Sequence, residues 1–320
     1  MKTLAALLAL LALAAGAAPA SAEQRLATES APFIADAYGD VIAWSSYDPT
    51  AKNYGLRVLR GGTAVDTAAV ARSGEPFDLD VGPGPDGKPL VVYSRRGDIF
   101  QFNPATGAEQ PLAEVNTQGT EVHPSINRNA LAFVRTPRGR KARPTLYLRK
   151  GGDTRKQPRP KFKETLAIED VELSDRGLFV VYRTDIVPTC CTRAVLYRVD
   201  GKKLHRLFYV GSGGANFGQL VTPSVVGRSV YFARTNDGSG QGNNLFRLDL
   251  RTKKLFAARG TSRAESVTWL GDRFLMSRDS GGCIGPPDMD PTATPTCELV
   301  VTDPPAFKRA SKADRRKTRP

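Results

Sequence analysis

Short runs of alternating apolar and polar residues recur along the chain, separated by turns rich in Gly, Asn and Asp. The clearest example is residues 220–259, where SVYFART (229–235) and LFRLDL (245–250) flank the glycine-rich NDGSGQGNN. Aromatic and β-branched residues favour strands, whereas Gly and Asn favour loops. The stretch is therefore predicted to form four antiparallel strands joined by hairpins. Because so small a sheet leaves two faces uncovered, it must stack on copies of itself.

Six copies of this unit can be aligned along the chain. Their second strands begin at Val41, Leu90, Leu131, Leu178, Val230 and Phe274. Their third strands begin at Leu56, Ile99, Leu146, Val195, Leu245 and Glu298. Copies spaced by roughly 40–50 residues predict an all-β, six-bladed β-propeller of four-stranded antiparallel blades. The last copy has no fourth strand before Asp303, so Gln24–Thr28 is expected to complete that blade and close the ring.

The first residues have the pattern of a signal peptide, predicted to span residues 1–22. Lys2 is followed by an apolar run over 4–15 and by the small residues Ala20-Ser21-Ala22. The run is too short to span a bilayer. We therefore expect an exported protein, extracellular or periplasmic and cell-wall associated, with no transmembrane segment in its mature chain. The propeller is predicted over residues 23–303, followed by a basic, disordered tail over 304–320.

Several strand–turn–strand runs resemble those of the TolB-like family of six-bladed propellers. They include LYRVDGKKLHRLF, LFRLDLRTKKLF, FNPATGAEQPL and, at 84–95, GPDGKPLVVYSR, which is similar to that family's Pro-Asp-Gly-Lys segment. The resemblance covers nearly all of residues 24–303. It implies the propeller fold, together with protein binding or scaffolding in the bacterial envelope. Related propellers also serve as non-catalytic domains of peptidases.

The first strand of each blade is expected to line the central channel. Aligning these strands on an x-Pro or x-Val pair places polar side chains on the channel side, because successive residues of a strand face opposite ways. The candidates for a ligand site at the channel mouth are Glu75, His123, Asp170 and Glu172. Carboxylates and imidazole can coordinate a metal or polarise a substrate. The same residues also fit a hydrated channel with polar walls, which is the favoured interpretation.

Classical catalytic sets are poorly represented in the sequence. There is no G-x-S-x-G elbow and no H-E-x-x-H, and one of the two histidines, His205, falls on a predicted outer strand. We therefore expect no catalytic residue and no resident metal or cofactor. The favoured function is a secreted, non-catalytic binding or scaffolding protein. The alternative is a metal-assisted hydrolase or lactonase-type enzyme using a divalent metal at the channel mouth.

The four cysteines are candidates for disulfides, which export permits. Cys283 and Cys297 bracket a Pro- and Gly-rich insertion, and their pairing would close a loop of about 15 residues worth on the order of 3 kcal/mol. Cys190 and Cys191 are adjacent, with Cα atoms only ~3.8 Å apart, below the usual disulfide range. A vicinal bridge there is strained but feasible, and cross-pairing with the other two cysteines stays open.

The net charge of +14 is concentrated in two places. Residues 137–163 hold eleven Lys or Arg against one Asp, and 304–320 hold seven against one. The candidates for contact with an anionic partner lie in one predicted loop: Arg138, Arg140, Lys141 and Arg143. Such a run is either a solvated face or a site for a protein or an anionic envelope polymer. Few aromatics accompany it, so nucleic acid is not an expected partner. A monomer is expected.

Overall fold

The computed structural model describes residues 23–31, 33–139, 142–161, 166–187, 191–210, 219–235, 244–258, 264–279 and 297–311. Within these ranges the secondary structure consists of strands, arranged in six antiparallel sheets. The first strand of every sheet packs against the first strand of the next, and the sixth packs against the first. The sheets are therefore the blades of a closed six-bladed propeller, as the sequence predicts.

The first three blades each contain four strands in chain order. Blade 1 comprises β2 (Ala35–Tyr38), β3 (Val41–Asp48), β4 (Asn53–Arg60) and β5 (Thr63–Ala64). Blade 2 comprises β6 (Asp78–Pro83), β7 (Pro89–Arg95), β8 (Asp98–Asn103) and β9 (Ala108–Pro111). Blade 3 comprises β10 (Thr120–Asn127), β11 (Ala130–Thr136), β12 (Thr145–Lys150) and β13 (Asp153–Lys156).

The last three blades include two strands that come from the ends of the described chain. Blade 4 comprises β14 (Leu166–Ser174), β15 (Gly177–Val187), β16 (Cys191–Asp200) and β17 (Lys203–Val210). Blade 5 comprises β18 (Gln219–Val226), β19 (Ser229–Thr235), β20 (Asn244–Asp249), β21 (Leu255–Ala258) and β25 (Lys308–Arg309). Blade 6 comprises β22 (Ala264–Leu270), β23 (Arg273–Asp279), β24 (Cys297–Thr302) and β1 (Gln24–Glu29).

The hydrophobic core lies between the blades. Second strands are covered on both faces by neighbouring blades, so they carry continuous apolar runs such as Val91-Val92-Tyr93, whose side chains are fully buried. One cluster, for example, joins Val41 and Val58 of blade 1 to Val81 of blade 2. This arrangement leaves the first strands with one apolar face for the core and one polar face for the channel.

The N-terminal strand β1 forms the outer strand of blade 6 through antiparallel pairing with β24. At its end Glu29 is buried and accepts hydrogen bonds from the indole nitrogen of Trp44 (2.7 Å) and the hydroxyl of Ser46 (3.0 Å). Both partners belong to blade 1. The strand therefore links the last blade to the first through the backbone ladder on one side and a buried carboxylate on the other.

The fold continues beyond Asp303. Residues 308–309 form β25, which pairs with β21, while Phe307 packs against Tyr231 and Phe274 and Ala310 is buried. These apolar contacts hold a segment whose own sequence carries no strand pattern. The predicted signal peptide and residues 312–320 lie outside the described residues. No helix in the described ranges is long and apolar enough to cross a membrane.

Cys297 begins β24, is buried, and is disulfide-bonded. Cys283 and Cys190 lie outside the described residues, and Cys191 begins β16. The predicted pairings of 283 with 297 and of 190 with 191 therefore stay predictions.

Candidate functional site in the central channel

Six polar side chains, one from the first strand of each blade, surround the channel at equivalent positions. We call this set the upper ring: Asp36, Asp80, Ser125, Glu172, Ser224 and Thr268. In four of the blades these side chains follow a local irregularity in the pairing of the first strand with the second. Such bulges re-aim side chains. In blades 1 and 2 the first strand pairs without such a shift. In all six blades the side chain of the upper ring reaches the neighbouring blade.

Each member of the upper ring is hydrogen-bonded to the blade that follows. Five of them accept a backbone N–H from the next first strand, over 2.7–3.3 Å where a distance is resolved. The acceptor–donor pairs are Asp36 with Val81, Asp80 with Ile126, Ser125 with Leu173, Glu172 with Val225, and Ser224 with Trp269.

The sixth member closes the circuit. Thr268 of blade 6 donates its hydroxyl to the second carboxylate oxygen of Asp36 in blade 1, over 2.6 Å. Ser125 in turn donates to Asp80 across 3.3 Å. The upper ring is thus a continuous set of links around the axis, and it fixes the position of each inner strand relative to the next.

Above the upper ring the channel widens into a funnel of about 750 Å³. Its walls are the hairpin turns that follow the first strands, and its floor includes Asp36, Asp80 and Glu172. A concave volume of this size is within the range of small-molecule sites. Tyr38 lies on the funnel wall and is the exposed large hydrophobic side chain of the described residues. Below the ring, a cavity of about 20 Å³ has room for roughly one water molecule.

A second set of charged groups lies deeper in the channel. Asp78 accepts a hydrogen bond from the backbone N–H of His123 (2.6 Å), and the same oxygen lies 2.9 Å from the Nδ1 atom of His123. His123 has φ of +49°, in the left-handed region that a non-glycine residue seldom adopts. The double contact with Asp78 stabilises this conformation. Asp170 occupies the equivalent position in blade 4 and contributes to the electrostatics of His123.

Burial and mutual repulsion set the protonation of the upper ring. Burial is the main cause that raises the pKa of Asp36, Asp80 and Glu172. The charge of Asp36 adds to the rise at Asp80, and the charge of Asp80 adds to the rise at Glu172. Three carboxyl groups that face one channel are thus kept from being fully ionised together.

The deeper groups titrate differently. Burial raises the pKa of Asp170 to about 7, against the opposing charge of His123. Burial alone would lower the pKa of His123, but the charge and hydrogen bond of Asp78 outweigh it and raise the pKa to about 9. The pKa of Asp78 is lowered, since the His123 contacts outweigh the burial that would raise it. At neutral pH the channel therefore holds an imidazolium–carboxylate pair beside an acid poised near its midpoint.

No group of three or more His, Cys, Asp or Glu among the described residues has the geometry of a metal site. This agrees with the hydrogen bonding, because Asp36, Asp80 and Glu172 each direct an oxygen at a backbone amide. Recruiting them as ligands would require those links between blades to be broken or shared.

The structure brings three of the four predicted channel residues together. Asp170 and Glu172 line the channel, and His123 lies beside them in contact with Asp78. Glu75 is exposed in the turn before β6, where its backbone N–H donates to the hydroxyl of Ser73. In blade 2, Asp78 occupies the position that His123 has in blade 3 and Asp170 has in blade 4. Of the predicted basic residues, Arg138 and Arg143 are exposed in the loop between β11 and β12. Arg140 and Lys141 lie outside the described residues.

Sequence reasoning missed Asp36, Asp78 and Asp80. The alignment of blades 1 and 2 was anchored on Pro32 and Pro76, which precede the strands. A signal was present, since Asp78-Leu79-Asp80-Val81 repeats the acidic–apolar alternation of residues 170–173. Matching that alternation instead of the proline identifies Asp78 and Asp80, whereas Asp36 lies between two alanines and belongs to no such pattern.

Comparison with known structures agrees with the geometry. An oligogalacturonate lyase in complex with manganese matches with a TM-score of 0.53 at 14% identity, covering 93% of this chain and 85% of that one. TolB from Acinetobacter baumannii matches with a TM-score of 0.49 at 18% identity, covering 84% and 67%. A puromycin hydrolase matches at 16% identity with a TM-score of 0.48, and this chain spans half of its length.

The six sheets and the match to the lyase identify the class of fold. The chain has the fold of a TolB-like six-bladed β-propeller. At such low identity the matches show the fold alone. No model of a protein family matches the sequence. No curated protein is similar enough to count as a relative.

Proposed function

We propose that this protein is an exported, monomeric, non-catalytic binding propeller of the bacterial cell envelope, and that its ligand enters the central funnel. The proposal rests on the hydrogen bonds that the polar groups of the channel already make within the protein. Every member of the upper ring holds a neighbouring blade, and His123 is held by Asp78. Groups committed in this way are poorly placed to move protons or bind a metal during turnover.

Tyr38 supports a binding role for the funnel. The residue is 37% exposed on the funnel wall, although a tyrosine side chain gains free energy by burial. Exposed aromatic side chains at the centre of a concave surface are frequent anchors for a bound partner, because they bury a large area with little loss of side-chain freedom. The expected partner is a protein segment or envelope polymer whose end fits a volume of about 750 Å³.

The test is capture of partners from a cell-envelope extract by immobilised protein. We expect Tyr38→Ala to reduce capture of the specific partner at least about tenfold, in line with the loss of an aromatic anchor. Arg57→Ala, on the exposed face of β4, is the matched control and should capture as the native protein does. If the Tyr38→Ala variant captured as much partner as the native protein does, the funnel would not be the binding site.

The alternative function is a metal-assisted hydrolase or lactonase-type enzyme. One observation favours it, namely that Asp170 has a pKa of about 7 and lies beside the His123–Asp78 pair, so it can gain and lose a proton near neutral pH. Its test is hydrolysis of ester and lactone substrates with added divalent metal, alongside elemental analysis of the purified protein. Metal-dependent turnover that Asp170→Asn abolishes would replace the binding proposal with this one.

The basic loop before β12 is proposed as a separate contact for an anionic envelope polymer. Arg138 and Arg143 are exposed there, at the end of blade 3 opposite the funnel. Neutralising these two residues with Arg140 and Lys141 should lower the salt dependence of polymer binding, because fewer counterions are released. An unchanged salt dependence would show the loop to be a solvated surface.

A further inference from the structure

A second, larger cavity opens between blades 3 and 4, at the same end of the propeller as the funnel. Its volume is about 1090 Å³. Its floor is apolar and is formed by Leu148, Pro158, Leu173, Leu178 and Val199. Of these, Leu178 and Val199 are buried and the others are half-buried. We call this cavity the blade 3–4 groove.

The rim of the groove is strongly basic. Its cationic residues are Arg128, Lys150, Arg155, Lys156 and Lys202. The acidic side chain on the rim is Asp175, which already accepts a hydrogen bond from Asn127 over 3.2 Å. Arg155 pairs with Asp153 across 3.1 Å at an exposed position. The three lysines of the rim, Lys150, Lys156 and Lys202, form no ion pair within the described residues, so their charges are available to a ligand.

Two of the rim residues, Arg155 and Lys156, belong to β13, the outer strand of blade 3. All four residues of β13 are exposed, and the strand pairs with β12 along one edge. Among the described residues no strand covers its other edge. In blade 5 the equivalent edge of β21 is covered by β25, an extended segment of this same chain. The outer edge of a blade in this protein therefore accepts an added strand.

We propose that the blade 3–4 groove binds an acidic peptide segment in extended conformation. Its carboxylates lie against the basic rim, its apolar side chains lie on the floor, and its backbone follows the free edge of β13. The proposal concerns a site separate from the central funnel and goes beyond the proposed function. The free strand edge favours a peptide over a saccharide or an inorganic polyanion, because neither of these has backbone amides that could pair with the edge.

The dimensions suit a short peptide. A strand of four residues spans about 13 Å at ~3.3 Å per residue, so the paired part of the ligand comprises about four to six residues. Alternate side chains of such a strand point to the same side. Peptides that alternate Glu and Leu are therefore useful probes, made in both registers so that either residue type can face the groove.

The experiment measures binding of a labelled Glu–Leu peptide of about eight residues by fluorescence anisotropy. Lys150→Gln combined with Lys202→Gln is expected to weaken binding about tenfold. Each substitution removes one exposed charge pair with the peptide, and such a pair contributes a few-fold to the affinity. Lys254→Gln combined with Lys308→Gln removes two exposed charges from blade 5 and is the matched control. Its binding should stay within about twofold of the native protein.

Three further measurements distinguish a peptide from other ligands of the groove. A peptide N-methylated on alternate residues cannot donate to the edge of β13 and should bind at least about tenfold more weakly. Oligogalacturonate of similar charge and anionic lipid vesicles should bind more weakly than the Glu–Leu peptide. The Tyr38→Ala variant should bind the peptide as the native protein does, which separates this site from the funnel.

The results that overturn the proposal are equally specific. They are failure of the native protein to bind either peptide register, an equal loss in the blade 5 control, and equal binding of the N-methylated peptide. Tighter binding of the oligosaccharide or the vesicles would assign the groove to a different class of ligand, and loss of peptide binding on Tyr38→Ala would move the peptide to the funnel.

Discussion

Replacing Asp170 by Asn should make the stability of this propeller less dependent on pH. In the folded protein, burial raises the pKa of Asp170 from 3.8 to about 7. The folded state therefore binds the proton more tightly than the unfolded state does. It follows that the stabilisation by this proton is fully present below about pH 4 and is lost as the pH rises through about 7.

The magnitude follows from the size of the shift. Each pKa unit corresponds to about 1.4 kcal/mol, so a rise from 3.8 to about 7 sets a ceiling of roughly 4 kcal/mol. Asp170 is half-buried and lines the channel, where water screens its charge. A loss of about 1–2 kcal/mol between pH 5 and pH 8 is therefore expected from this residue. Asn retains an oxygen that can accept the N–H of Val171, now at 2.7 Å.

His123 adds to the same trend. Because its pKa is raised to about 9, its contribution is fully present below about pH 6.5 and is lost as the pH rises through 9. The opposite trend of Asp78, whose pKa is lowered, is confined to acid solution below about pH 4. The raised pKa values of Asp36, Asp80 and Glu172 make stability fall with rising pH in the same way. The contribution of Asp170 is therefore isolated by the difference between the native protein and the Asn variant.

The assay is urea unfolding followed by the fluorescence of Trp44 and Trp269 at pH 5, 6, 7 and 8. The free energy of unfolding should fall across this range in the native protein and fall by about 1–2 kcal/mol less in the Asn variant. Asp272→Asn, in the exposed turn between β22 and β23, is the control and should reproduce the native slope. Parallel curves for the native protein and the Asp170 variant would refute the reasoning.

Three other substitutions and one control test the architecture by the same unfolding assay. Gly82→Ala places a methyl group 2.1 Å from a backbone oxygen of blade 3 and should cost about 2–3 kcal/mol, whereas Gly84→Ala, with no contact nearer than 3.4 Å, should cost little. Glu29→Ala leaves the buried indole N–H of Trp44 without its acceptor and should cost about 1–3 kcal/mol. Asp80→Ser should leave the protein folded, because serine performs the same link in blade 3; unfolding of this variant would contradict the structural role of the upper ring.

The architecture could be predicted from the sequence because buried strands leave a strong local pattern. The second strands begin within one residue of their predicted starts, since two-sided burial demands runs such as Leu90-Val91-Val92-Tyr93. Strand β25 left no such pattern. Its pairing depends on Phe307 and Ala310, whose partners in blade 5 and blade 6 are distant in the chain.

The channel was harder to predict because its residues are identified by relations between blades. His123, Asp170 and Glu172 could be found from alternation within one strand. Asp36 could not, since its role is defined by contacts with Val81 and with Thr268, 232 positions away in the chain. A hydrogen bond between strands of different blades leaves no periodicity in either one.

The upper ring contains two kinds of side chain, hydroxyl and carboxyl, and only one kind is needed to hold the blades together. Ser125, Ser224 and Thr268 make their links to neighbouring blades through neutral hydroxyl groups. The other three blades make the same kind of link through carboxyl groups, whose burial raises their pKa values and therefore opposes ionisation. Holding the blades together does not require that penalty, because a hydroxyl suffices. The three carboxyl groups on the funnel floor therefore offer more acceptor oxygens than the links between blades use, and under the proposed function these oxygens accept hydrogen bonds from the ligand.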